Sequence, residues 1–199
     1  MSCDDTLLIT KGKTWTRVVR WEAKPLIYKA ITAITRAGPV VITSTGHAIV
    51  DGWRAAVVSA GGMREINAKN WPLQDEDFHP VTVLSSSTVE LNEVNSTEYR
   101  AYTSGGYLVY YTPVSLAGAT ASFQIRDPID SATALVSKTQ ASGIAIDDTL
   151  KTITITLPAT ETDDYTFESG EAELEITIGG VVTQLLRRHV VVEDEVARS

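Results

Sequence analysis

Cysteine is almost absent from this sequence. Its 199 residues include one cysteine, Cys3, which cannot form an internal disulfide. A thiol so near the start of the chain has few neighbours that could activate it, so we expect no functional role for Cys3. Such sparse cysteine usage fits a protein made in a reducing cytoplasm, although a cysteine-poor particle could also work outside the cell.

Long apolar runs and an excess of positive charge are missing as well. No apolar stretch approaches the length of a membrane span, and the opening MSCDDTLLIT carries acidic residues where a signal peptide would be basic. The net charge of −8 and the isoelectric point of about 4.9 disfavour nucleic acid as a partner, because phosphate binding needs clustered lysine and arginine. We therefore expect neither a membrane nor a nucleic acid among the partners.

Metal-binding and paired-acid motifs are not visible. His47, His79 and His189 stand far apart without metal-type spacing, and we interpret them as surface or turn histidines. The adjacent acids Asp75, Glu76 and Asp77 single out no distant carboxylate for a glycosidase pair, so a solvated loop is the simpler interpretation.

Motifs for nucleophilic catalysis and phosphate binding are missing too. No serine lies in a GxSxG elbow. The glycine pairs at 61–62, 105–106 and 179–180 lie between predicted strands rather than between a strand and a helix, as a phosphate cradle requires. We predict no catalytic residue, no metal ligand and no cofactor site, and hence no enzyme.

Alternation of apolar and polar residues is the main signal that the sequence does contain. It has period two in ATASFQIRD, KTITITLP and EAELEITI, as expected for strands with one buried face. Gly179-Gly180 joins the last of these runs to another β-rich run and predicts a hairpin. Helix is scarce: we predict one short helix at PATETDDY, capped by Thr160 or Thr162, and a second around SATALVSK. The chain is predicted to be all-β.

Short strand-like runs fill residues 39–110, and regularly spaced turn residues separate them, as in a barrel or sandwich. Aromatic residues also cluster here. They could form a sugar platform or protein interface, or the barrel core and its cross-strand pairs, which we favour. The cluster comprises Tyr99, Tyr102, Tyr107, Tyr110 and Tyr111, together with Trp53 and Trp71.

The stretches GPVVITSTGHAIVDGWRAAVVSAGGMREINAKNWPL and STVELNEVNSTEYRAYTSGG resemble a small β-barrel module. This module is the first catalytic cysteine half-domain of ubiquitin-activating enzymes, as it recurs in bacteriophage and prophage proteins. The resemblance covers roughly residues 33–107. It is carried by Gly46-His47, Asp51-Gly52, Gly62-Met63, Asn67, Leu91 and Tyr102-Thr103-Ser104-Gly105-Gly106.

This first resemblance implies architecture and no ubiquitin-type activity. The catalytic cysteine of the ubiquitin enzymes lies outside this half-domain, and the matching stretch here has no cysteine. We expect Gly46 and Gly52 in turns, Met63 in the core beside Ile66, and Asn67 in a left-handed turn with bonds to its neighbours.

The flanking segments KGKTWTRVVRWEAKPLIYKAI and YYTPVSLAGATASFQIRD, with the remainder to EVAR, resemble a second family. They are similar to the immunoglobulin-like sandwich of phage tail and baseplate proteins, such as the N-terminal domain of the upper baseplate protein of some siphophages. The marks are Pro113, Leu116, Ala119, Ile125, Arg126, Asp127, Gly143-Ile144, Thr162, the glutamate-flanked strand and the closing segment 190–196.

The two resemblances together imply an immunoglobulin-like β-sandwich with an inserted small β-barrel. The sandwich would be discontinuous, formed by residues 1–32 and 108–199, and the barrel would be formed by residues 33–107. Such an insertion is tolerated at a loop where two strand ends meet, because it disturbs little buried backbone.

The implied function is structural. We expect a virion protein of a tailed bacteriophage, made in the host cytoplasm, that joins or anchors components of the tail, baseplate or fibre-attachment region. A homo-oligomer, as a ring or trimer, would bind other virion proteins partly by strand addition at sheet edges, with the acidic strand EAELEIT as a solvated face that discourages wrong pairing. The alternatives are a capsid decoration or head-fibre base protein, a carbohydrate- or receptor-binding module, and a glycan depolymerase.

Overall fold

The computed structural model describes residues 6–195, and nearly half of these residues lie in β-strands, with little helix. The all-β prediction is confirmed. Cys3 and the last residue of the closing segment, Val196, lie outside the described residues. In chain order the strands are β1 Leu7–Thr10, β2 Trp15–Val19, β3 Glu22–Ala30, β4 Ala33–Ile34, β5 Val40–Thr43, β6 Arg54–Val58, β7 His79–Ser85, β8 Thr88–Leu91, β9 Tyr107–Pro113, β10 Thr120–Arg126, β11 Val136–Thr139, β12 Ile144–Asp147, β13 Thr152–Leu157, β14 Ser169–Ile178 and β15 Val181–Glu193.

The chain divides into two compact units. One unit consists of the chain up to Trp21 and from Ser115 onward, and the other is the continuous segment Glu22–Val114. Each has its own cluster of buried apolar side chains. The helical elements within the described residues are the α-helix α1 Ala159–Asp163 and the 3₁₀ helices Arg64–Ile66 and Asp75–Asp77.

The first unit is a β-sandwich with immunoglobulin-like strand order. One sheet runs β1-β15-β14-β10-β11 and the other runs β12-β13-β2. The first strand lies parallel to the last, β15, whereas the remaining neighbours are antiparallel. Alternation explains the layering, because Ala172, Leu174 and Ile176 of β14 are fully buried while the glutamates between them are partly exposed.

The sandwich core is built from the inward-facing residues of both sheets. Phe123 of β10 is fully buried, and the ring of Trp15 from β2 stacks on it with 6.2 Å between the ring centroids. Ile155 and Leu157 of β13 complete this part of the core. The strongest period-two runs in the sequence are therefore the strands that carry the core.

The two helix predictions have different outcomes. The helix at PATETDDY exists as α1, but Pro158 occupies its N-cap position, and the Thr162 hydroxyl instead donates to the carbonyl of Lys13, 2.8 Å away. The helix around SATALVSK is wrong, because Val136–Thr139 forms the strand β11. Val136 and Lys138 are buried while Ser137 and Thr139 are exposed, so the period here is two.

The second unit is a barrel whose sheet closes on itself. Its strand order is β3-β9-β6-β7-β8-β5-β4, and the two terminal strands are successive parts of one segment, residues 22–34. At the junction the amide of Ile31 donates to Gly106 on one side, and the amide of Thr32 donates to Thr43 on the other. One segment therefore bonds both neighbours and joins the two ends of the sheet.

The barrel core contains residues that the resemblance placed there. Met63 is fully buried and Ile66 is 6% exposed in the same cluster, as expected. Gly46 and Gly52 have positive φ in turns, also as expected. Asn67 differs from the expectation, since its φ of −68° is not left-handed and its side chain bonds the backbone of Ala60 instead.

The limits of the barrel unit lie outside the predicted 33–107. The structure places the boundaries at 21/22 and 114/115, so that β3 and β9 both belong to the barrel unit. These strands pair with each other from Glu22↔Pro113 to Ala30↔Tyr107, and β9 also pairs with β6. The alternation pattern identifies a strand but does not specify the sheet that it joins, which is why the sequence boundaries fall short.

Two glycines of the barrel give a matched test of this fold. A Cβ on Gly62 would lie 2.3 Å from the carbonyl oxygen of Ala101, whereas a Cβ on Gly46 would meet nothing within 4 Å. Both have positive φ, 78° and 64°. Gly46→Ala should lower the free energy of unfolding by about 1 kcal/mol, the cost of a left-handed residue with a Cβ. Gly62→Ala should lower the free energy of unfolding by more than Gly46→Ala does, because the backbone at Ala101 must shift to make room for the Cβ. Urea denaturation of both variants measures the two losses. Equal losses would contradict this packing.

Candidate functional site

A groove of about 500 Å³ opens on the surface of the barrel unit. This volume is within the usual range for ligand sites, about 300–1,000 Å³. Its walls come from the first 3₁₀ helix, the loop that follows it, the second 3₁₀ helix, the start of β7 and the segment after β8. The lining residues are Glu65, Ile66, Asn67, Ala68, Lys69, Asn70, Glu76, Asp77, His79, Glu93, Val94 and Tyr99.

The wall formed by residues 60–68 is fixed by backbone contacts. The Asn67 side chain accepts from the amide of Ala60 at 2.8 Å and donates to its carbonyl at 3.1 Å. The amide of Ala68 donates to the carbonyl of Val57 in β6 at 2.7 Å. This wall is therefore attached to a buried strand.

Asp77 fixes the next part of the wall. Its Oδ1 accepts from the amides of Lys69 at 2.8 Å and Asn70 at 3.4 Å, and its Oδ2 accepts from the amide of Gln74 at 2.9 Å. Burial by itself would raise the pKa of Asp77, but these hydrogen bonds outweigh burial and hold the pKa below its ordinary value. The predicted solvated loop is wrong for Asp77, which is 6% exposed and closes residues 69–77 into a ring of hydrogen bonds.

Asp75 belongs to a second polar cluster, centred on Arg54 of β6. The guanidinium donates to both carboxylate oxygens of Glu22, at 2.7 and 2.8 Å, and to Asp75 at 3.2 Å. It also lies over the ring of Phe78, 5.1 Å from the centroid. The hydrogen bond with Glu22 raises the pKa of Arg54 against the opposing effect of burial. This cluster ties β3 and β6 to the second 3₁₀ helix and leaves Arg54 no role at the groove.

The polar side chains of the groove differ in whether they bond to other residues of the chain. Glu65 pairs with Arg100 at 3.4 Å, and Glu76 accepts a hydrogen bond from the side-chain Nδ2 of Asn70 at 3.0 Å. The side chains of Lys69, His79 and Glu93 make no hydrogen bond or ion pair with another residue of the described part of the chain. These three groups can therefore serve a ligand.

The aromatic cluster divides between core and surface. Trp53 is fully buried and donates its indole N–H to the carbonyl of Tyr111 at 2.8 Å, and Tyr110 is 4% exposed. These residues follow the core interpretation. Trp71, which follows the groove-lining Asn70 in the chain, is 75% exposed, and Tyr107 is 46% exposed. The surface interpretation therefore applies to these two residues.

The three histidines lie in different environments. His47 is 1% exposed, which corrects the surface prediction; its Nδ1 accepts from the amide of Ile49 and its Nε2 donates to the carbonyl of Ser85. His79 lines the groove, and His189 lies 3.1 Å from Glu171 on the outer face of the sandwich. The structure does not bring the three together.

A separate polar cluster lies in the sandwich unit and has a structural explanation. Lys138 points inward from β11 and forms an ion pair with Glu161 of α1. The Tyr165 hydroxyl donates to the other oxygen of Glu161 at 3.1 Å. Burial and the neighbouring Glu161 charge raise the pKa of Tyr165, so the phenol remains protonated. The cluster holds α1 against β11.

Among residues 6–195, no three His, Cys, Asp or Glu side chains are arranged to hold a metal ion. No helix in the same range is long and apolar enough to cross a bilayer. Neither a protein-family model nor a curated protein matches the sequence.

Sequence reasoning did not identify the groove. Its walls come from four separate stretches between residues 65 and 99, and none of them carries a recognisable motif. Trp71-Pro72 was a usable signal for an exposed aromatic residue. The proline interrupts helix and strand, and the surrounding segment is polar, so this tryptophan is in an unusual position for a core residue.

The role of Asp77 can be tested with Asp77→Asn, which preserves shape and removes the charge. We expect a loss of about 2 kcal/mol in unfolding free energy near pH 7, because bonds to a carboxylate are replaced by one amide acceptor. A carboxylate with a lowered folded-state pKa stabilises fully above its unfolded pKa, about 4, and this contribution is lost as the pH falls through the folded pKa.

The advantage of the wild type over Asp77→Asn should therefore shrink below about pH 4. Urea denaturation of both proteins between about pH 7 and about pH 2 measures it. A difference that is independent of pH would contradict the role of the Asp77 carboxylate in these hydrogen bonds.

Proposed function

We propose that this protein is a structural component of the virion of a tailed bacteriophage, where it joins or anchors parts of the tail, baseplate or fibre-attachment region. The observation that carries the proposal is the architecture itself, an immunoglobulin-like sandwich interrupted between β2 and β10 by a closed barrel. This is the arrangement that the two family resemblances imply.

The sandwich supports the proposal because it offers a strand edge for association. β1 pairs with β15 at residues 190–193, and no described strand pairs with the outer edge of β15 from residue 181 to residue 186. Val181 and Val182 on this edge are 67% and 58% exposed. An open edge with exposed apolar side chains favours strand addition by a neighbouring subunit.

The glutamates of the acidic strand are partly exposed, which agrees with the expected solvated face, but the strand has no open edge. β14 pairs along its length with β10 and β15, so it has no open edge to protect. Two of its three partly exposed glutamates lie opposite basic residues, Glu171 beside Arg126 and His189, and Glu173 beside Arg187. Opposite charges across neighbouring strands help fix the register of this sheet.

The first test is the position of the protein in the particle. We expect a gold-labelled antibody against this protein to mark the tail, neck or baseplate of purified phage in electron micrographs. Gold over the capsid would instead support the decoration role. Particles without label, from cells in which the protein is made, would contradict a structural role.

The same particles can test the strand edge. Phage lacking the gene are complemented with Val182→Lys, which puts a charge on the open edge, or with Leu84→Lys as a matched control. Leu84 is 51% exposed, but it belongs to the closed barrel. We expect Val182→Lys to impair incorporation and Leu84→Lys to assemble normally; normal assembly of both variants would exclude this edge.

A further inference from the structure

We propose that the groove of the barrel binds a neutral saccharide, with the exposed Trp71, which follows the lining residue Asn70 in the chain, as the stacking surface. This inference goes beyond a structural role in the particle and does not depend on it. The ligand class follows from four observations: a rigid wall, an exposed indole next to the lining in the chain, uncommitted donors and acceptors, and an excess of negative charge.

The wall that carries Trp71 is held in place before any ligand arrives. Asp77 binds the amides of Lys69, Asn70 and Gln74, which enclose Trp71 from both sides in the chain. Asn67 and Ala68 attach the preceding residues to Ala60 and Val57. Because binding need not order this segment, the entropic cost of binding is reduced.

The exposed indole is the feature that most strongly indicates a ligand. Tryptophan side chains are usually highly buried, yet Trp71 is 75% exposed and follows the groove-lining Asn70 in the chain. An indole offers a large rigid apolar surface. The faces of a pyranose ring that carry C–H groups match this surface, and the sugar hydroxyls remain free to reach polar groups nearby.

The uncommitted polar groups match hydroxyl chemistry. Lys69 supplies donors, Glu93 supplies acceptors, and His79 supplies one of each when neutral. A hydroxyl can both donate and accept, so a polyol satisfies all three residues at once. The carboxylates of the lining oppose a simple anion, and no three His, Cys, Asp or Glu side chains among residues 6–195 are arranged to hold a metal cation.

The charge balance of the groove selects against acidic ligands. Its lining contains four carboxylates, Glu65, Glu76, Asp77 and Glu93, and one lysine, Lys69. Arg100 neutralises Glu65 in part, at 3.4 Å. The remaining negative charge repels polyanions, so acidic polysaccharides and phosphate-bearing ligands are disfavoured. A neutral saccharide avoids this repulsion.

The test is direct binding to the full-length protein. The probes are neutral oligosaccharides of glucose, galactose, mannose and N-acetylglucosamine, with hyaluronan fragments as the polyanionic comparison. Binding is followed by calorimetry and by tryptophan fluorescence. We expect at least one neutral probe to bind and to change the emission of Trp71, the most exposed of the described tryptophans.

Three variants locate the site. Trp71→Ala should weaken binding about tenfold or more, because it removes the stacking surface. Glu93→Gln keeps the shape but not the charge and should weaken binding about fivefold. Tyr107→Ala removes an exposed aromatic residue of β9 that packs against Tyr28, and it should leave the dissociation constant unchanged.

The proposal is overturned by any of three results. These are no binding of any neutral probe at millimolar concentration, equal binding by the wild type and Trp71→Ala, or tighter binding of hyaluronan than of every neutral probe. Trp71 and Glu93 are both exposed, so neither substitution should prevent folding, and a normal circular dichroism spectrum verifies this.

Discussion

The barrel depends on two adjacent amides that point to opposite sides. Ile31 donates to Gly106 and Thr32 donates to Thr43, so one extended segment closes a sheet that would otherwise have two open edges. Closure removes those edges and fixes β6 and β7 within the barrel wall. A hydrogen bond from the amide of Ala68 to the carbonyl of Val57 attaches the groove-lining segment to β6. The closed sheet therefore holds this wall of the groove in place.

The sandwich solves the edge problem differently. It is open, and β1 covers a short part of β15, at residues 190–193. An open sheet can accept a further strand, whereas a closed barrel cannot. The two units therefore suit different kinds of recognition: backbone pairing at a strand edge in the sandwich, and side-chain contacts in a preformed groove of the barrel. The two proposals together assign attachment to a neighbouring subunit to the sandwich and recognition of a saccharide to the barrel.

The sequence was most informative where a local pattern determines the structure. The alternation in β10, β13 and β14 predicted those three strands. Gly179-Gly180 predicted the hairpin between β14 and β15. It failed where distant contacts decide. Val136–Thr139 became a strand because β10 pairs with it, and Asp77 is buried because amides up to eight residues away converge on it. The groove is lined by residues from separate segments, so no local sequence pattern could predict it.

The central claim, closure of the barrel through residues 31 and 32, is tested most directly by native-state hydrogen exchange on the full-length protein. The amides of Ile31 and Thr32 should exchange as slowly as those of the buried strand β6, and their exchange should share its dependence on denaturant. Rapid exchange at these two amides, with β6 still protected, would mean that the sheet is open at this junction and would contradict the account.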